Sequence, residues 1–236
     1  MDSDFAQFLG YFIGDGCIET NRVTFFEQDK QVALSYKEKF EKYFNLKISY
    51  RFRNDKNYHQ LRLTCRPLVR FIKNEFPEIK KTLDTEIPEK IFKSKKEVIG
   101  AFLRGLFDAE GYATKERGIA LGINNKRLAQ QLQFVLLRFS ILSSLHEYNN
   151  KANKYSKNYR YTVDITEKES LELFKKHINF TSFKKYNKLN SLINRKSYTS
   201  NVRQIIVPGR KIREIIEKAG YNLQLFPKVT NFFRNE

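Results

Sequence analysis

Cysteine, histidine and tryptophan are nearly missing from this chain, and each scarcity closes a class of protein. Two cysteines in 236 residues, Cys17 and Cys65, build no disulfide framework and lack the paired spacing of a zinc site. Both stand in apolar or strand-like stretches and are expected in the core, which fits a reducing, intracellular compartment. Three histidines in dissimilar surroundings offer no paired acid–base machinery. No apolar run reaches the roughly 18 residues of a membrane span, and Asp2 and Asp4 stand where a secretory signal would be basic. No membrane partner is expected. The scarce charge is negative: 26 acids against 44 Lys and Arg give +18, with a pI near 9.8. Such an imbalance implies a polyanionic partner whose phosphates dominate affinity and make it salt-sensitive. From Leu173 to Arg213 no acid occurs against eleven Lys or Arg, a stretch expected to lie against phosphates.

What is present is a repeat. Phe8-Leu9-Gly10-Tyr11-Phe12-Ile13-Gly14-Asp15-Gly16 returns as Leu103-Arg104-Gly105-Leu106-Phe107-Asp108-Ala109-Glu110-Gly111, with the two acids 95 positions apart (110 − 15). Residues 5 to 14 are apolar almost all round, so this segment is expected to be a buried helix. Small residues recur four apart, Gly10 and Gly14 in one copy, Gly105 and Ala109 in the other, which places them on one helical face. Glycine inside a helix costs about 0.5–1 kcal/mol relative to alanine; close approach of two such helices would offset it, as small-residue faces allow elsewhere. Gly16 and Gly111 fit the left-handed residue that closes a helix. Asp15 and Glu110 then stand at the negative ends of two helix dipoles, where anions are misplaced, and they converge if the helices pack side by side. Such a pair calls for a hard cation, Mg²⁺ (or Mn²⁺), which takes one or two carboxylates and completes its shell with water and phosphate oxygens. Two acids at a shared axis suit a two-fold substrate, and duplex DNA is the evident one.

These two segments resemble the paired motifs of the LAGLIDADG homing endonucleases in their single-chain, two-repeat form. The second copy, with Ile87-Pro88 and Lys95-Glu97 upstream, is especially close. The first departs at Phe8, Tyr11 and Ile13, yet the functional acid position is kept in both. The resemblance covers roughly residues 4 to 195. It implies a saddle of antiparallel strands over a long DNA site, cleavage of both strands across the minor groove, and short 3′ overhangs.

The rest of the chain is consistent with an α+β fold of two αββαββα repeats. In the first, short strands at Cys17–Glu19 and Val23–Phe26 flank a turn, and Lys30–Phe44 reads as an amphipathic helix. Alternating strands follow at Ile48–Arg53 and Gln60–Cys65, then a helix opened by Pro67 and running through Phe76. In the second, strands are expected at Tyr112–Thr114 and Ile119–Ile123, a helix from Lys126 to about Phe139, strands near Leu142–Tyr148 and Tyr159–Ile165, and a helix over Lys168–His177. Further helices are expected near Phe183–Ile193 and Val202–Ala219. The expected organisation is a first repeat with linker (1–96), a second repeat (97–195) and a basic helical extension (196–236).

Strict alternation gives each sheet one face on the helices and one open. The open face carries Thr24, Gln28, Ser49, Arg51, Arg53, Gln60, Arg62 and Thr64 in the first repeat, and Asn124, Arg160, Thr162 and Asp164 in the second. Such side chains suit base edges in the major groove. Arg22, Lys115, Arg117, Lys184, Lys185, Lys188, Arg195 and Lys196 are further candidates for DNA contact. For catalysis the expected centre is Asp15 and Glu110, with the backbone at Gly14 and Ala109 as additional metal ligands. Gln28 and Asn124 are candidates to position water, and Arg62 or Lys126 to approach the scissile phosphate; at position 164 the counterpart of Arg62 is Asp. His59, His146 and His177 are read as surface or DNA-contacting residues. A monomer on a long asymmetric site is expected, in an archaeal cytoplasm or an organelle. Rival readings are an intron RNA maturase or non-cleaving DNA-binding protein, and the endonuclease part of an intein. The last would need a Cys or Ser start and a His-Asn end, where this chain has Met1-Asp2 and Asn235-Glu236; an intron-encoded enzyme is the expectation.

Overall fold

Residues 1–80, 83–114, 117–150, 158–195 and 209–220 are described by the computed structural model. The first repeat runs α1 (Ser3–Asp15), β1 (Gly16–Ile18), β2 (Arg22–Glu27), α2 (Lys30–Phe44), β3 (Ser49–Arg53), β4 (Tyr58–Thr64) and α3 (Arg66–Glu75). A short helix in the join, α4 (Glu89–Phe92), was not anticipated by periodicity. The second repeat runs α5 (Lys96–Glu110), β5 (Gly111–Ala113), β6 (Ile119–Ile123), α6 (Lys126–Leu137), β7 (Ser144–Tyr148), β8 (Arg160–Ile165) and α7 (Lys168–His177). Then come α8 (Phe183–Ile193) and α9 (Gly209–Lys218). Residues Met1–Tyr198 form one unit and Thr199–Glu236 another. The expected helix over 202–219 is seen from Gly209; positions 202–208 lie outside the described residues.

Each repeat folds its four strands into an antiparallel sheet, ordered β1-β2-β4-β3 and β5-β6-β8-β7. The register fixes the faces. Thr24 pairs with Arg62 and Ser49 with Arg62, so Thr24, Ser49 and Arg62 share one face, together with Arg22, Arg51, Arg53, Gln60 and Thr64. In the second sheet Ala120 and Ser144 both pair with Asp164, which joins Arg160 and Thr162 on the matching face. The alternation in sequence therefore becomes an open polar face, and the opposite residues enter the core.

Asp2 starts α1 by accepting the Phe5 amide at 2.9 Å, and every residue from Phe5 to Phe12 is buried. Phe8 meets Phe25, Phe40 and Phe44 at ring separations of 5.3, 5.0 and 5.0 Å. Truncating a phenylalanine so enclosed costs about 3–5 kcal/mol. Asp29 caps α2 by accepting the Gln31 amide, and Asn45 ends it with φ 50°.

Three expectations are corrected. Gly16 (φ −100°, ψ 154°) and Gly111 (φ −83°, ψ 150°) are extended, not left-handed. Glycine is needed there because a Cβ would stand 2.5 Å from the Phe12 or Phe107 carbonyl oxygen; the chain turns straight from helix into strand with no room for a side chain. His59 is neither surface nor DNA-facing. It lies on the core side of β4, buried, with Nδ1 2.7 Å from the Tyr50 hydroxyl and its ring against Phe52. Cys17 pairs with Thr24 in the register, so it stands half-buried on the open face of β1 and outside the core.

Candidate active site

Helices α1 and α5 touch main chain to main chain. A Cβ on Gly10 would stand 1.9 Å from the Phe102 carbonyl oxygen, and one on Gly105 would stand 2.1 Å from the Gln7 carbonyl oxygen. At the far end a Cβ on Gly14 would meet the Ala109 Cβ at 2.4 Å and the Glu110 Cγ at 3.2 Å. The small residues thus let the helix ends abut, and the final residue of each helix is its acid, Asp15 and Glu110. Both are half-buried, and among the described residues neither carboxylate accepts a hydrogen bond.

The electrostatics follow from that placement. Burial pushes the Asp15 carboxyl up to about 6, Glu27 pushes the same way, and Lys185 opposes. Burial pushes Glu110 up to about 7, helped by Asp15 and opposed by Arg160 and Lys185. Repulsion between two acids is reciprocal, so whichever ionises first raises its partner. Hard oxygen donors without hydrogen-bond partners among the described residues, at the negative ends of two helices, suit a divalent cation. Among the described residues no group of three or more His, Cys, Asp and Glu could hold a metal. Water and substrate oxygens would therefore have to complete any coordination shell.

A cleft of about 860 Å³ opens beside Asp15, lined also by Ala109, Glu27, Gln28, Lys184, Lys185 and Lys188 among others; Glu110 does not line it. Gln28 follows β2 and is exposed into it. Arg62, Asn124 and Lys126 do not line it; Lys126 is turned to Glu147 at 3.3 Å and to the Tyr161 ring. On the open faces Ser49, Arg51, Thr64 and Arg160 are exposed, as is Arg117 in the turn before β6. Thr24 is fully covered and donates to Glu19, which also holds Arg22. Arg53 pairs with Asp55 at 2.9 Å. Gln60 and Thr162 are buried, and among the described residues Gln60 Oε1 and Arg62 Nε have no hydrogen-bond partner. Arg195 is half-buried. Lys115 and Lys196 lie outside the described residues.

Two site residues escaped sequence reasoning in their roles. Glu27 ends β2 at a core-facing position, after Val23 and Phe25; it accepts from the Tyr11 hydroxyl at 2.7 Å and the Asp29 amide at 2.9 Å. A charge in a core-facing register was the available signal. Lys185, from α8, donates to the carbonyls of Asp108 and Phe107, closing the end of α5. Its pKa is lowered by burial and supported by Asp108, Glu27, Asp15 and Glu110. Asp108 itself is buried and structural: it accepts from the Tyr36 hydroxyl at 2.5 Å and the Thr181 amide at 2.8 Å. Its counterpart in the first repeat is Ile13, which needs no such partners.

Comparison with known proteins places this geometry. The family model of the LAGLIDADG-like domain matches residues 97–179. Two proteins of Methanocaldococcus jannaschii contain similar segments. Glutamine–fructose-6-phosphate aminotransferase is 34% identical over 97% of this chain, and replication factor C small subunit 32% over 92%. The chain spans only 21% and 11% of those proteins. In fold it is similar to I-DmoI in complex with DNA and Mn (TM-score 0.55, 18% identity, 75% of this chain and 96% of that one). It is also similar to full-length DUF199/WhiA from Thermatoga maritima (TM-score 0.57, 15% identity, 92% and 66%).

Proposed function

We propose that this chain, which belongs to the LAGLIDADG family, is a site-specific endonuclease that cuts both strands of duplex DNA with a divalent cation. The observation that carries the proposal is the pair of half-buried carboxylates at abutting helix ends, without a hydrogen bond among the described residues and each with its pKa raised. A protein that only bound DNA would gain nothing from such an arrangement. The net charge of +18 and the polar sheet faces support duplex DNA as the substrate. The relatives that share the segment carry unlike names, so no whole-protein activity transfers from them.

Asp15 and Glu110, with the carbonyls of Gly14 and Ala109, would hold Mg²⁺ or Mn²⁺. Once bound, such an ion lowers the pKa of its water and stabilises charge on a phosphate. The residues of the chain do the rest. The two acids sit on separate repeats, so each serves one strand. Gln28, exposed in the cleft, orients water beside Asp15. Lys185 holds the last carbonyls of α5 in place and supplies positive charge where phosphate charge builds. Arginines on the first open face grip the backbone and base edges, fixing the register of the site. Cuts across the minor groove leave short 3′ overhangs, from a monomer on a long asymmetric sequence, consistent with an intron-encoded enzyme.

Lys185 also favours a second reading, a non-cleaving nucleic-acid-binding protein, because its ammonium already offsets part of the acids' charge. Incubating the chain with a DNA library in Mg²⁺ separates the two. The endonuclease yields double-strand breaks at one sequence. Asp15→Asn or Glu110→Gln abolishes them while DNA affinity stays within a few-fold. Intact library DNA that is nevertheless bound specifically selects the second reading, and undiminished cutting by either variant removes that acid from the mechanism.

A further inference from the structure

The two sheets differ at one equivalent position in a way that bears on what each reads. Arg62 lies on β4, paired with Thr24 on β2 and Ser49 on β3. Asp164 lies on β8, paired with Ala120 on β6 and Ser144 on β7. The pseudo-symmetry of the repeats makes these the same site over the two halves of a duplex, and the charge is reversed between them. The change is not a filled core position: Asp164 is on the open face, its side chain 24% exposed.

Its surroundings form a recess. Tyr112, Tyr148, Thr162 and Arg160 line a cavity of about 280 Å³ with Ala120 and Asp164. The residues paired with it on both flanking strands, Ala120 and Ser144, are short, and the side chain stays partly exposed. His146 Nε2 stands 3.5 Å away, an ion pair when the imidazole is protonated, and Arg117 also lines the recess; among the described residues no hydrogen bond to the carboxylate is seen. A carboxylate facing a phosphate-lined groove is repelled unless a base edge offers it a donor. Of the base edges in the major groove, the cytosine N4 amino group is the one matched to a short acidic side chain.

We infer that Asp164 selects a cytosine, accepting a hydrogen bond from its N4 amino group, in the half-site covered by the second sheet. The inference rests on the duplex-DNA reading above. At the equivalent base pair of the other half-site, Arg62 is matched to guanine, so the target is not palindromic at this step.

The full chain is used to select duplexes from a randomised pool in chelator, so that binding is read without cleavage. In sites selected by Asp164→Asn, one position that is cytosine for the wild type becomes adenine, the base an asparagine reads, and the remaining positions hold. The wild-type chain is then titrated with its selected duplex and with the same duplex carrying T·A for C·G at that step. The expected loss is about tenfold to a hundredfold, and Asp164→Asn erases most of it. The same base preference in both selections overturns the assignment, as does a wild type indifferent to the exchange. A wild-type chain that enriches no duplex overturns the DNA reading and the assignment with it.

Discussion

Removing a negative charge from the paired acids should make the metal-free protein more stable, and only at neutral and higher pH. The folded-state pKa of Asp15 is pushed from 3.8 to about 6, and that of Glu110 from 4.5 to about 7. A carboxylate whose pKa rises on folding leaves the folded state holding the extra proton. Stability is therefore lost as pH climbs from about 4 to about 7, the reverse of a salt-bridged acid. For Asp15 the rise of about 2 pH units corresponds to about 3 kcal/mol. Solvent screening at a half-buried group reduces this to about 1–2 kcal/mol. For a unit of this size that is a melting midpoint higher by about 2–8 °C. Thermal unfolding of Asp15→Asn and the wild type, both in chelator, should show that gap at pH 8 and none at pH 4. Contributions of acids not coupled to Asp15 cancel in the difference, and relief of Glu110, whose pKa Asp15 raises, widens the gap. Divalent metal should raise the wild-type midpoint and leave that of Asp15→Asn/Glu110→Gln unmoved. A lower midpoint for Asp15→Asn at pH 8, or a gap of equal size at both pH values, would refute the placement of the acids.

Gly10→Ala forces a methyl into the Phe102 carbonyl and should cost about 3 kcal/mol in chemical denaturation; unchanged stability would mean the helices have slack between them. Tyr36→Phe deprives buried Asp108 of its 2.5 Å donor and should cost about 1–3 kcal/mol, seen as a lower urea midpoint with an unchanged slope.

Much of the architecture was open to inspection in the residues themselves, for physical reasons. The motif helices are legible because a segment apolar on every side has nowhere to go but the interior, and its small residues mark where another backbone must pass. Helix α2 was placed from Lys30 to Phe44 by its amphipathic pattern, and Asp29 and Asn45 cap it at those bounds. Parity assigned Arg62 and Asp164 to open faces, since a strand has only two sides. What stayed hidden depends on contacts distant along the chain. Glu27 looks like an ordinary strand end until α1 brings Asp15 beside it. Lys185 is one lysine among eleven basic residues in an acid-free stretch, and only the docking of α8 singles it out. Alternation could have placed His59 on the core side of β4, but a polar ring invites an assignment to solvent. Glycine at 16 and 111 was foreseen for the wrong cause, because sequence does not separate a need for positive φ from a lack of space.

The contact between α1 and α5 is made by backbone atoms, and backbone does not change when side chains do. Under the proposed activity, the spacing of the two incisions is set by that invariant pivot, whereas the recognised bases are chosen by residues on the strands. New targets can then be acquired by exchanging strand residues one at a time, with the hinge of the cut untouched. If the proposed activity holds, retargeting and chemistry are separately evolvable in this chain, and the glycines at its midline are what keep them apart.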